Sequence, residues 1–161
     1  MSKAKETAGF ALPKQAYLPG KTARPEEEAY DWIRDRTPAH VGSDNISHVQ
    51  SWHYGLRLLR EGFYWEAHEV LEPVWTACAP NSRERYLVQA IIQIANAALK
   101  AELGKPRAAG KLIVIAEGLL ARSGSERLFG LDPVLAGLRL GEMSSLDTIE
   151  GQTIARAVFE A

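Results

Sequence analysis

Apolar residues recur at helical spacing through most of this chain, and nowhere does a period-two run bounded by hairpin turns suggest a strand. The clearest segment runs from Arg83 to about Leu103. There Leu87, Ile91, Ile94 and Ala98 form one stripe, with Val88, Ile92, Ala95 and Leu99 beside it. This predicts a central helix, apolar nearly all round, interrupted only by a polar seam of Gln89, Gln93, Asn96 and Lys100. Other helices follow from their punctuation. Pro25 and the Glu26–Glu28 run open one that ends at Arg36, before Thr37-Pro38. Ser47 with Gln50 has capping-box form and opens a helix with Val49, Trp52, Leu56 and Leu59 as its core stripe. A third spans Gly62 to Cys78, and Asn81 with Glu84 resembles the cap of the central helix. Gly104 and Pro106 separate that helix from the next, which reaches about Arg122; Asp132-Pro133 opens a short one to Leu140. The tail from Ser144 to Ala161 holds a last helix with Ile154, Val158 and Phe159 on its apolar side.

The expected architecture is therefore all-α: a single-domain helical bundle of about five to seven helices over residues 25–161. Residues 1–24 read as an extended N-terminal arm, broken by Gly9, Pro13, Pro19 and Gly20. Phe10, Leu12, Tyr17 and Leu18 would lay it over the body. Lys3, Lys5, Lys14 and Lys21 outnumber Glu6 in it, too sparsely to suggest a nucleic-acid tail.

The chemistry concentrates in GFYWEAHEVLEPVWTAC, Gly62 to Cys78. At 100° per residue, with His68 at zero, Glu72 falls near ~40°, Glu69 near ~100° and Glu66 near ~160°. Phe63, Ala67, Val70, Leu71 and Val74 make the opposite, apolar half. Trp65 lies within the polar arc, and Tyr64 and Trp75 flank His68, so the imidazole is expected to be partly enclosed by aromatic rings. Pro73 deletes a backbone hydrogen bond inside this helix. A buried amide can donate to a carboxylate and accept from a histidine, so the Gln89–Gln93 seam is expected to pack toward His68 and Glu72.

His68 and Glu72 have the i, i+4 spacing that two metal ligands on one helix need. Glu69 sits where the general base stands in the HExxH zinc helix, but Glu72 replaces the second histidine. A third ligand must come from elsewhere, with His53, Glu66 and Gln93 as candidates. A divalent metal such as zinc is the implied cofactor. Di-iron chemistry is rejected, because it wants Glu-x-x-His on two helices and Trp65 precedes His68 by three. The competing reading makes His68–Glu72 a hydrogen-bonded pair completed by Gln89 or Gln93, with Glu66 and Glu69 on a solvated face. His40 and His48 carry no motif and are expected at the surface.

Composition narrows the remainder. With 161 residues, 46% hydrophobic, 24% charged and a formal net charge of −1, the chain is the size of one domain. It has no electrostatic signature for nucleic acid or an anionic membrane. Cys78 is the sole cysteine, so no internal disulfide is possible. Leu112–Ala116, the longest strongly apolar run, is too short to span a bilayer, and the first ten residues show no secretory signal. A cytoplasmic protein is expected.

FYWEAHEVLEPVW, preceded by HYGLRLLREG and followed by LVQAIIQIANAALK, resembles the small all-helical family called domain of unknown function 309. The family lead-in is Gly-x-aromatic-(Phe/Trp)-Glu-Ala-His-Glu, then a Glu and a Trp at the spacing of Glu72 and Trp75. Its next helix is Ala-rich and carries glutamines at the places of Gln89 and Gln93. The resemblance covers roughly Ser51 to Leu120, within a family-like core of about 48–122; Ala108-Ala109 stands where the family usually has Gly-Ala. It implies a helical bundle and no particular activity. Two function classes stay open: a metal-assisted hydrolase or metal-binding protein with His68 and Glu72 as ligands and Glu69 as base, or a non-catalytic helical interaction module with a structural His68–Glu72 cluster. A homodimer through an exposed apolar face of the last helices is the expected partner, and any small-molecule ligand is unspecified.

Overall fold

The computed structural model describes residues 7–159. They form seven α-helices: α1 (Asp31–Arg34), α2 (Gln50–Arg60), α3 (Tyr64–Ala77), α4 (Arg83–Glu102), α5 (Pro106–Arg122), α6 (Pro133–Met143) and α7 (Gly151–Arg156). A 3₁₀ turn, Ile46–His48, precedes α2. No strand occurs among the described residues, only isolated bridges between Val41 and Cys78 and between Leu128 and Leu131. The all-α expectation holds. No described helix is long and apolar enough to cross a membrane.

Helix α4 is the axle. It packs on α3, on α5 and on the returning α7, while α2 packs on α3 and α6 on α5. Its predicted stripes are buried throughout, with Leu87, Ile91, Ile94, Ala95 and Ala98 at 0% exposure. Links of three residues join α2 to α3 and α4 to α5, and each of these pairs packs together. Gly62, at φ 91°, turns the chain from α2 into α3 in a conformation an L side chain rarely adopts. Gly55 has a packing role: a Cβ there would lie 2.5 Å from Leu71 Cδ2, so its absence lets α3 settle close against α2.

Several boundaries differ from the sequence reading, each for a local reason. The Pro25–Arg36 segment is helical only over α1; before it the backbone closes i→i+3 turns, Ala29 to Glu26 and Asp31 to Glu28. The Ser47–Gln50 capping box is not formed. Ser47 belongs to the 3₁₀ turn, and extended Val49 is the N-cap of α2, without a side-chain cap. At α4 the cap is Ser82, whose hydroxyl accepts from the Arg85 N–H, while Asn81 takes the left-handed turn at φ 60°. Asp132 caps α6 as expected, accepting from Leu135 N–H, and that helix runs on to Met143. The last helix is confined to Gly151–Arg156, with Ile154 and Val158 buried.

Residues 8–24 carry no helix and lie along α2 and α3. Tyr54 donates its hydroxyl to the Ala11 carbonyl at 2.7 Å, and Arg57 donates to the carbonyls of Thr7 and Phe10 at 2.9 and 2.6 Å. Phe10 meets the Trp32 ring edge-on, and Tyr17 meets Trp65 likewise at 5.0 Å between centroids. Lys3, Lys5 and Glu6, counted in the arm's charge, lie outside the described residues, as does Ala161 at the end of the tail.

Candidate functional site

Helix α3 buries Ala67, Val70, Leu71 and Val74 completely, which fixes its rotation about its axis. His68, Glu69 and Glu72 therefore emerge together along one edge. One ligand-type atom from each lies within 4.8 Å of the other two, a convergence that sequence spacing alone does not guarantee. His68 and Glu69 are half-buried and Glu72 is exposed.

The imidazole is held from α4. His68 Nδ1 lies 2.8 Å from Asn96 Oδ1, an oxygen that can only accept, so Nδ1 carries the proton. The Asn96 amide nitrogen points to Gln93 Oε1 at 3.5 Å, which keeps the oxygen turned toward the histidine. Nε2, on the other side of the ring, faces Glu72 Oε1 at 3.5 Å. Glu69 is held from the other side: its Oε2 receives Arg34 Nη1 at 3.1 Å, and Arg34 also binds Asp31 and the Glu27 carbonyl at 2.8 Å each. A cleft of about 790 Å³ opens beside Glu69, with Arg24, Glu28, Asp31, Arg34 and Trp65 on its walls.

The other predicted residues lie apart from this cluster. Glu66, read as a weak ligand or part of a solvated face, is fully buried and is not in the His/Glu group, which corrects the solvated reading. Its Oε2 accepts the Tyr17 N–H at 2.8 Å, and its Oε1 has no hydrogen-bond partner. Burial pushes its pKa up, against the pull of the Tyr17 N–H. Burial, with the Glu66 charge beside it, likewise raises the Tyr30 hydroxyl. His53 turns its Nε2 toward the carbonyls of Ile46 and Ser47, at 3.1 and 3.2 Å, and burial draws its pKa down.

Of the aromatic residues, Trp65 lines the cleft and carries Tyr17 and Tyr30 edge-on against its ring. Trp75 sits under the Arg85 guanidinium at 4.4 Å, with its buried indole N–H unpartnered. Tyr64 is buried at the start of α3; burial foremost, then the Glu102 charge, raises its hydroxyl to about 12, against the opposing pull of Arg156. Burial likewise raises the Cys78 thiol to about 11. Gln89 and Gln93 are half-buried on α4, and the seam meets His68 one step further along, at Asn96.

Two residues of the cluster escaped sequence reading. Asn96 was on the seam but unassigned, and its i+3 relation to Gln93 was the available signal. Arg34 carried no signal, because it reaches Glu69 across 35 positions of chain. No curated protein and no solved structure matches the chain. The segment that builds α2, α3, α4 and the first part of α5, residues 52–112, matches the family model described as Domain of unknown function (DUF309).

Proposed function

We propose that His68, Glu69 and Glu72 bind a divalent transition metal of zinc type, and that the bound metal activates water for hydrolysis of a substrate seated in the neighbouring cleft. The observation that carries this is the paired commitment of the histidine. Nδ1 is spent on Asn96, and Nε2 faces Glu72 across 3.5 Å. That gap is long for a hydrogen bond. It suits two donors sharing one tetrahedral ion, since bonds of ~2.1 Å at the tetrahedral angle set ligand atoms about 3.4 Å apart. A metal-bound histidine that donates its other ring N–H to a fixed acceptor is also the usual outer-shell arrangement.

Glu69 has two roles open to it: third ligand, or base beside a metal-bound water while Arg34 steadies its other oxygen. In either role a partly exposed ion keeps a position for water, whose pKa the metal lowers. The test is elemental analysis of protein purified without an affinity tag. One metal per chain, lost in His68→Ala and Glu72→Gln with the helical spectrum retained, supports the reading.

A second reading rests on the same contacts. The His68–Asn96 and Glu69–Arg34 bonds tie α3 to α4 and to α1, as a purely structural cluster in an interaction module would. Under it the protein carries no stoichiometric metal, and the same variants lose thermal stability instead.

A further inference from the structure

A second cleft, of about 650 Å³, lies where the end of α2 meets α6 and α7, and it shares no residue with the first. Three arginines line it, Arg60, Arg139 and Arg156, with Met143, Thr153 and Phe159. Among the described residues, the one carboxylate on its wall is Glu61, which is exposed. None of the three guanidinium groups takes part in a salt bridge among the described residues. Two of them are nonetheless oriented. Arg60 stacks over the Phe159 ring, its guanidinium carbon 4.4 Å from the centroid, and Arg139 Nη1 donates to the Phe159 carbonyl at 2.7 Å. Each guanidinium has five N–H donors and no acceptor, so most of this donor capacity is left unspent.

Uncompensated charge of one sign around a concavity focuses a field that attracts the opposite charge. Planar guanidinium forks match the oxygens of carboxylate and phosphate, which makes an oxyanion their natural partner. The volume exceeds that of a bare oxyanion and falls within the ~300–1,000 Å³ usual for organic ligands. Phe159 and Met143 offer apolar surface beside the arginines. We propose that this cleft binds a small organic anion, its phosphate or carboxylate group among Arg60, Arg139 and Arg156 and its compact apolar body against Phe159 and Met143.

Phenyl phosphate is the probe, titrated calorimetrically into the full chain beside inorganic phosphate and vesicles containing anionic lipid. Saturable one-to-one binding of phenyl phosphate, several-fold tighter than inorganic phosphate, is expected. Arg156→Gln and Arg60→Gln change exposed side chains and should each weaken it about tenfold or more, with partial recovery in Arg156→Lys. His68→Ala should bind phenyl phosphate as the unmodified protein does, which keeps this test separate from the metal site. No saturable binding overturns the proposal. So does affinity that disappears in His68→Ala but survives in Arg156→Gln, or binding to vesicles with none to phenyl phosphate.

Discussion

The two clefts of this molecule are opposites in charge and in anchorage. Beside Glu69, the acids Glu27, Glu28, Asp31 and Glu69 face Arg24 and Arg34; in the other cleft three arginines face one glutamate. A formal net charge of −1 hides this separation entirely. The side chains around His68 are tied to one another: Asn96 holds the histidine, and Arg34 holds Glu69 and Asp31. In the second cleft Arg139 and Arg60 are tied to Phe159, through its carbonyl and its ring, and Arg156 is exposed. The first region fixes atoms at a few ångströms, which the proposed metal would need. The second presents charge, which the proposed anion would need.

The largest effect that would sharpen this contrast lies under the first region. Leu71 is fully buried and fills the space left by Gly55. Leu71→Ala should cost about 2–5 kcal/mol in chemical denaturation and should loosen the His68 cluster with it. Arg60→Gln, on the rim of the second cleft, should stay within about 0.5 kcal/mol of the unmodified protein. Equal losses would show that the two regions are anchored alike. A smaller effect follows from Asn96. Asn96→Ala keeps His68 but removes the acceptor on its Nδ1, so affinity for the proposed metal should fall about 10–100-fold, read by competition with a chelator. Unchanged affinity would make Asn96 a packing residue.

These particulars also show what a sequence can carry. The central helix was legible almost to the residue, because an apolar face at 3.6-residue spacing has one satisfactory burial. His68 and Glu72 were legible as a pair because one helix sets their geometry without help. Helix starts were less so: Ser47 and Asn81 have cap chemistry, yet backbone dihedrals put Val49 and Ser82 in the cap positions. Contacts between distant segments were not legible at all. Arg34 finds Glu69 only once the chain before α2 is folded back. Glu66 looked like one more residue of a polar arc until Tyr17, 49 positions earlier, was laid across it.

Glu66 supplies the subtlest contrast, with its neighbours on α3. Glu69 has an arginine partner, Glu72 is exposed beside His68, and Glu66 is buried with one backbone N–H and an unpartnered oxygen, with Tyr30 and Tyr54 nearby. Burial raises its pKa above the ordinary 4.5. The sign follows from proton counting. As pH rises past 4.5 the unfolded chain releases this proton while the folded chain still holds it, so the unfolded state binds fewer protons and stability falls with pH. The loss ends once pH has passed the raised folded-state value. Glu66→Gln removes this titration, and the tyrosines that its charge touches titrate only at alkaline pH, so below that range the stability of the variant minus that of the unmodified protein isolates it. Urea midpoints across a pH series should agree best at the acid end and separate upward from about 4.5, with the variant gaining. A difference that does not vary with pH would mean that Glu66 meets the same surroundings folded as unfolded, and that the arm does not shut it away from water.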